Sequence, residues 1–95
     1  MRLDAKVDGN QTQLSRDLRK LGCSVQPLHM IGRGCPDLLV GYQGKNYLLE
    51  IKDGRAVPSR QKLTKDEEKF RAGWRGQYAI VRNIEDWFDL LKGAE

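Results

Sequence analysis

Two carboxylates and a lysine in the middle of the chain have a spacing that could bring them together. Glu50 and Lys52 flank Ile51, and Asp37 opens an earlier apolar segment. Side chains alternate between the two faces of a strand, so Glu50 and Lys52 share a face while Ile51 points to the other. If the segment that begins at Asp37 pairs with this strand as a hairpin, Asp37 can lie opposite Glu50. The spacing therefore predicts two acids and one ammonium close together.

Such a cluster offers the oxygen ligands that a hard divalent metal ion prefers. Two neighbouring carboxylates repel each other, so their convergence requires a compensating cation. Lys52 supplies one positive charge, and oxygen ligands suit Mg²⁺, with Mn²⁺ as a substitute. Such an ion can bind a phosphodiester oxygen and lower the pKa of a bound water, which a lysine can orient or help to deprotonate. The residues therefore indicate metal-dependent hydrolysis of a phosphodiester.

The alternative interpretation is a cross-strand salt bridge on a solvated sheet face. For an arbitrary acid and lysine in one strand, that alternative is the commoner case. Three features favour the site here. The neighbours of Glu50 are apolar, at Leu48, Leu49 and Ile51; a basic segment follows; and a glycine-rich loop precedes Asp37.

The N-terminal half of the chain predicts a helix and an edge strand before the hairpin. Asn10 is the expected N-cap of a helix that runs to Leu21 and ends before Gly22. Leu14, Leu18 and Leu21 form its apolar stripe, and Gln11 lies on the same side. A strand is expected over 24–28, at a sheet edge because it contains a proline.

The hairpin is predicted from strands over 37–42 and 45–52 joined by the turn Gln43-Gly44. Residues 53–63 are expected to be irregular. Thr64 and Glu67 have the spacing of a capping box at the start of a second helix, with Phe70 and Trp74 on one face.

A strand over 77–82 and an amphipathic helix over 84–91 complete the order α-β-β-β-α-β-α. The two phenylalanines and two tryptophans, Phe70, Trp74, Trp87 and Phe88, are expected to belong to the core, or to a dimer interface where they are exposed. The lone His29 is expected to have no catalytic role.

Length and composition indicate one globular domain over 1–95, with residues 1–7 as a flexible tail. The chain has 39% hydrophobic and 32% charged residues, which excludes a disordered composition. The net charge is +4, and residues 52–65 carry five basic residues against one acid. A basic segment suits a polyanionic partner such as nucleic acid. The expected phosphate contacts are Arg33, Arg55, Arg60, Gln61 and Lys62.

The absence of a secretory signal, of a long apolar run and of a cysteine framework predicts a cytoplasmic protein. Cys23 and Cys35 are expected to be reduced thiols, and their spacing with His29 does not fit a zinc site.

Two segments together resemble a known family. Residues 34–41 (GCPDLLVG) and 47–52 (YLLEIK) are similar to the PD-(D/E)XK nuclease motif, and more narrowly to the virus-type replication-repair nuclease (VRR-NUC) domain. Leu63-Thr64 and Trp74-Arg75-Gly76 fit the same pattern. The resemblance runs from about Asp8 to Leu91, which is nearly the whole chain.

The resemblance implies a restriction-endonuclease-like fold, an αβββαβ core with a central mixed sheet flanked by helices. It implies Mg²⁺- or Mn²⁺-dependent cleavage of DNA, with metal ligands from Asp37, Glu50 and the Ile51 backbone carbonyl, and with Lys52 activating water or stabilising the transition state. Single-domain members resemble phage or bacterial endonucleases that act as homodimers on branched DNA such as four-way junctions. No nucleotide cofactor and no membrane partner are expected.

One departure concerns the first helix, where the family often carries an acid near the metal. The matching stretch of this chain has no carboxylate, so Gln11 is the expected stand-in, with Asp8 as the alternative. Glu67 occupies a position where relatives often carry glutamine, and its expected role is the helix cap. Because Gln11 is neutral, a second possible function is a DNA-binding module with weak or no catalytic activity. A third is a protein-interaction subunit without a DNA role.

Overall fold

The computed structural model describes residues 9–56 and 58–93, and only the backbone at positions 59 and 60. The expected tail over 1–7 and the alternative ligand Asp8 lie outside the described residues. The helices and strands follow one another in this order: α1 Gly9–Lys20, β1 Ser24–Pro27, β2 Leu38–Tyr42, β3 Lys45–Ile51, α2 Pro58–Gln61, α3 Lys65–Gly73, β4 Tyr78–Val81 and α4 Ile84–Gly93.

The four strands form one mixed sheet in the order β1-β2-β3-β4. The first three strands are antiparallel neighbours, whereas β4 pairs with β3 in parallel. A parallel neighbour requires a crossover, which α2 and α3 supply between β3 and β4. The predicted α/β class, a mixed sheet flanked by helices, is confirmed.

The hairpin between β2 and β3 has the expected turn and register. Gln43 and Gly44 have φ angles of 51° and 80°, as a two-residue turn requires to match the twist of its strands. Leu38 pairs with Leu49, and the Asp37 backbone N–H donates to the Leu49 carbonyl at 3.0 Å. The pairing therefore continues one step beyond β2, which places Asp37 opposite Glu50.

The main core lies on the sheet face that α1 and α4 cover. Leu14 and Leu18 of α1 pack there with Leu38, Leu49 and other strand residues. Trp87 of α4 is only 1% exposed. Its ring meets Tyr42 and Tyr47 edge-on, with centroids 5.9 and 5.1 Å apart. The apolar neighbours of Glu50 along β3 thus include residues that anchor the strand.

Helix α1 ends at Lys20, one residue before the predicted end at Leu21, and it does not begin as predicted. Gly22 has φ 92°, and the Cys23 N–H donates to the Leu18 carbonyl, the bond that closes a helix before a left-handed glycine. The N-cap assignment of Asn10 is wrong, because Asn10 lies inside the helix and its side chain bonds elsewhere. Leu21 was expected on the apolar stripe, but it is 43% exposed because it follows the last helical turn.

Helix α3 lies against the opposite face of the sheet, where Phe70 contacts Tyr78. The capping box of Thr64 and Glu67 is confirmed in both directions. Two aromatic residues expected in the core are exposed instead, Trp74 at 47% and Phe88 at 42%. The segment expected to be irregular contains the short helix α2. None of the helices at 9–56 and 58–93 has the length and apolar character needed to span a bilayer.

Candidate active site

The acid–lysine cluster, defined as Asp37, Glu50 and Lys52, lies where β2 begins and β3 ends. Asp37 precedes β2, and its Oδ2 accepts the Ile51 backbone N–H at 2.7 Å. This bond crosses the hairpin and aims the aspartate at the end of β3. Burial raises the pKa of Asp37, while the Ile51 N–H opposes that rise. The strand pairing thus fixes the first acid.

Glu50 is the most deeply buried acid of the cluster, at 3% exposure. Its Oε1 has no hydrogen-bond partner among the residues that the structure describes. Burial, followed by the negative charges of Asp37 and Glu67, raises the pKa of Glu50 to about 8. A buried carboxylate beside a second acid destabilises the fold unless a proton or a cation neutralises it.

Lys52 supplies part of that compensation. Its Nζ lies 3.6 Å from Glu50 Oε2 and 2.9 Å from Glu67 Oε1. Burial would lower the pKa of Lys52, but the hydrogen bond and charge of Glu67, with a smaller contribution from Glu50, raise it. The side chain of Lys52 is 11% exposed, so this ammonium is a largely buried and fully charged group.

Glu67 has a second contact that the sequence pattern does not predict. Its Oε1 accepts the Thr64 backbone N–H at 2.9 Å and also the Lys52 ammonium. Burial would raise the pKa of Glu67, but the Thr64 N–H and Lys52 lower it. A capping-box pattern identifies a helix start but carries no information on which strand faces that start.

Helix α3 approaches the cluster closely because Gly34 has no side chain. A Cβ at Gly34 would collide with the backbone of Asp66 in the first turn of α3, and Gly34 has φ 78°. The loop before Asp37 therefore packs directly on the helix that carries Glu67. Cys35 is close enough that burial, Glu50 and Asp37 all raise the pKa of its thiol.

The donor set fits a hard divalent cation in part. Asp37 and Glu50 offer carboxylate oxygens, and Glu50 Oε1 is free of protein donors within the described residues. Oxygen ligands of this kind suit Mg²⁺ or Mn²⁺. Against this, residues 9–56 and 58–93 hold no group of three or more histidine, cysteine or acidic side chains arranged to bind a metal. A metal would therefore need backbone or water ligands as well, and the Ile51 carbonyl remains the predicted one.

Gln11 is buried at 5% exposure on the face of α1 that packs on the core, as predicted. It lines a cavity of about 520 Å³ between α1 and β1, together with Ser15 and Pro27. The neighbouring Asn10 ties this end of α1 to the end of β3, because its Nδ2 donates to the Lys52 carbonyl at 3.1 Å and to the Arg82 carbonyl at 3.1 Å.

The predicted phosphate-binding residues differ in their exposure and in their contacts within the protein. Arg33 and Lys62 are exposed. Arg55 is exposed as well, at 88% of its side chain, and contacts Asp53 at 3.3 Å. The side chain of Arg60 lies outside the described residues.

The fifth predicted contact, Gln61, has both ends of its amide engaged within the protein. Its Nε2 donates to the Ala56 carbonyl at 2.7 Å, and its Oε1 accepts from Arg82 at 3.2 Å. This amide therefore ties the loop after β3 to the end of β4.

The class of protein that emerges is an α/β chain with a buried acid pair and a lysine at one end of its mixed sheet. In comparisons with family models, with curated proteins and with solved structures, the chain has no match. The functional assignment consequently depends on the chemistry of the site.

Proposed function

We propose that this chain is a metal-dependent endonuclease that hydrolyses DNA phosphodiester bonds. The observation that carries the proposal is the buried pair of Asp37 and Glu50, in which Glu50 Oε1 lacks a protein donor among the described residues. Without a metal, the raised pKa of Glu50 means that a proton neutralises this acid at neutral pH. A divalent cation is a ligand that can replace that proton between two facing carboxylates.

In this proposal Asp37, Glu50 and the Ile51 carbonyl hold the cation. A Mg²⁺ or Mn²⁺ ion bound there would act as a Lewis acid toward a phosphodiester. The Asp37 carboxylate is held in place by the Ile51 N–H at 2.7 Å. Gln11, the predicted substitute for a first-helix acid, would contribute a neutral amide.

The contacts of Lys52 favour one of its two predicted roles. Glu67 and Glu50 keep its ammonium protonated, since they raise its pKa above the ordinary 10.5. A protonated lysine cannot accept a proton from water, whereas it can stabilise the negative charge that develops on a phosphate. Lys52 is therefore assigned to transition-state stabilisation and to orienting the attacking water.

The preferred substrate in this proposal is branched DNA such as a four-way junction, cleaved by a homodimer, in the cytoplasm of a bacterial or phage-infected cell. The VRR-NUC resemblance of the sequence supports this choice. Exposed Arg33, Arg55 and Lys62 supply positive charge for the DNA backbone. Exposed Trp74 and Phe88 offer apolar surface for a second copy.

The test is a cleavage panel. Purified protein is incubated with a four-way junction, a flap and a plain duplex, each with Mg²⁺, Mn²⁺ or a chelator. We expect cleavage that requires the metal and is fastest on a branched substrate. Lys52→Ala should reduce cleavage by about 10²- to 10³-fold while DNA binding persists. The control Glu68→Gln alters an exposed acid paired with Arg71 and should cleave normally. Absence of metal-dependent cleavage on every substrate would refute the proposal.

A second candidate is a DNA-binding module with little or no activity on the same fold. The lack of a three-residue metal-binding group within the described part of the chain favours it. This candidate predicts that Lys52→Ala binds DNA like wild type and that neither protein cleaves. Binding that weakens steeply with salt would still separate it from a protein-interaction subunit, because counterion release accompanies phosphate contacts.

A further inference from the structure

We propose that Glu67 is a positioning residue that holds the Lys52 ammonium at its working position in the acid–lysine cluster. This inference rests on the proposed nuclease function and adds a residue from α3 to a site otherwise built by the hairpin. Glu67 is the nearer of the two acids that flank Lys52, at 2.9 Å against 3.6 Å for Glu50. The lysine is therefore held mainly from the helix side.

The Glu67 carboxylate is itself fixed by backbone. The same Oε1 that accepts Lys52 also accepts the Thr64 N–H, and the Glu67 N–H donates back to Thr64 Oγ1 at 3.2 Å. A lysine has a flexible four-carbon stem, so its ammonium is positioned only as well as its partners are. A capping-box acid is such a partner because helix formation sets its place.

The position of α3 is fixed in turn by the loop that leads to Asp37. Gly34 lets this loop touch the Asp66 backbone, one residue before Glu67. Helix, loop and strand thus form one connected support for the cluster. A helix cap alone does not require the Lys52 ammonium to lie within hydrogen-bond distance of the Glu67 carboxylate.

Loss of Glu67 has a specific consequence for Lys52. Of its two acidic partners, only Glu50 would remain, and the ammonium would move toward the acid pair. A charged group displaced by about 1 Å from a reacting centre can cost about 100-fold in rate. We therefore expect Glu67→Ala to lower kcat by roughly 10- to 100-fold with a much smaller change in KM.

Two variants separate positioning from capping. Glu67→Gln keeps an oxygen that accepts both hydrogen bonds, so its kcat should stay within about fivefold of wild type. Thr64→Ala removes the hydroxyl half of the cap, at a cost of about 1 kcal/mol in stability, but keeps both bonds to Glu67 Oε1. Its kcat should fall far less than that of Glu67→Ala when each protein is assayed well below its unfolding midpoint.

A double-mutant cycle tests whether Glu67 acts through Lys52. If it does, Lys52→Ala combined with Glu67→Ala should be no slower than Lys52→Ala alone. Multiplication of the two single losses would show an independent role and overturn the inference. Equal losses of kcat in Thr64→Ala and Glu67→Ala would also overturn it, because the effect would then come from the helix cap.

A readout without DNA keeps the inference separable from the proposed function. With chelator and no substrate, an amine-acetylating reagent is added and the modification of Lys52 is followed by mass spectrometry, relative to exposed Lys62 in the same sample. The amine must leave its 2.9 Å contact with Glu67 to attack the reagent. Lys52 should therefore react at least about 10-fold faster in Glu67→Ala than in wild type, and near the wild-type rate in Glu67→Gln, which keeps the hydrogen bond. Equal rates in wild type and Glu67→Ala would overturn the inference. If wild type cleaves no DNA, the proposed function fails. The acetylation experiment still decides whether Glu67 holds Lys52.

Discussion

Replacing Glu50 by glutamine should make the metal-free protein more stable at pH 8 while abolishing the proposed DNA cleavage. The pKa of Glu50 is raised from the ordinary 4.5 to about 8, first by burial and then by Asp37. Between these two values the unfolded chain releases the Glu50 proton while the folded chain retains it. The free energy of unfolding therefore falls as the pH rises through this window and levels off above it.

The magnitude follows from the same two pKa values. At about 1.36 kcal/mol per pH unit, the difference between 4.5 and 8 sets an upper limit of about 5 kcal/mol. Part of this free energy belongs to Asp37, because burial raises the pKa of that acid as well. Lys52 and Glu67 contribute little here, because the raised lysine pKa matters above pH 10 and the lowered Glu67 pKa below pH 4.5. A remaining effect of about 2 kcal/mol would move the unfolding midpoint by roughly 8–16 °C.

The assay is thermal and urea unfolding of wild type and Glu50→Gln from pH 5 to pH 8.5 in chelator. Wild type should lose stability as the pH rises, whereas Glu50→Gln should be nearly flat and more stable than wild type at pH 8. The control Glu68→Gln should follow wild type, since the lowered pKa of this exposed acid lies below the window. A Glu50→Gln protein that is less stable than wild type at pH 8, or equally pH-dependent, would show that Glu50 does not retain its proton in the folded chain.

Three further predictions concern the loop, the core and the DNA surface. In urea unfolding, Gly34→Ala should destabilise the protein much more than Gly32→Ala. Both glycines have a positive φ, but of the two only Gly34 would place a Cβ within 4 Å of backbone atoms of α3. Equal losses of stability in the two variants would contradict the close approach of α3. Trp87→Ala should lower the free energy of unfolding by about 3–5 kcal/mol. Phe88 is 42% exposed, so Phe88→Ala should lower it by less than about 1 kcal/mol. Thermal unfolding of both variants measures the difference. Lys62→Ala should weaken DNA binding and reduce the slope of log K against log salt by about 1, and an unchanged slope would remove Lys62 from the interface.

Much of the fold follows from local signals in the sequence. The hairpin was predictable because Gln43-Gly44 can adopt the positive φ angles that a tight turn needs, and because apolar residues fill both flanking strands. Its register then places Asp37 opposite Glu50 without further information. The glycine stop that follows α1 at Gly22 and the N-cap that precedes α3 at Thr64 are equally local, since each depends on bonds within a few residues.

The parts that the sequence did not predict depend on contacts between distant segments. Asn10 has the residue type of an N-cap, but its amide bonds to Lys52 and Arg82, which are 42 and 72 residues away. Glu67 was predicted as a cap, and its contact with Lys52 follows only once α3 is packed beside β3. Trp74 and Phe88 fit a helical stripe, yet neither meets enough of the sheet to be buried.

Calorimetric titration with Mn²⁺ measures whether Asp37 and Glu50 hold a divalent cation. Wild type should show saturable binding, and Asp37→Asn should lose it. Asp53→Asn, which changes an acid already paired with Arg55, should bind like wild type. Undiminished Mn²⁺ binding by Asp37→Asn, or no saturable binding by wild type at millimolar metal, would rule out a cation site at this acid pair.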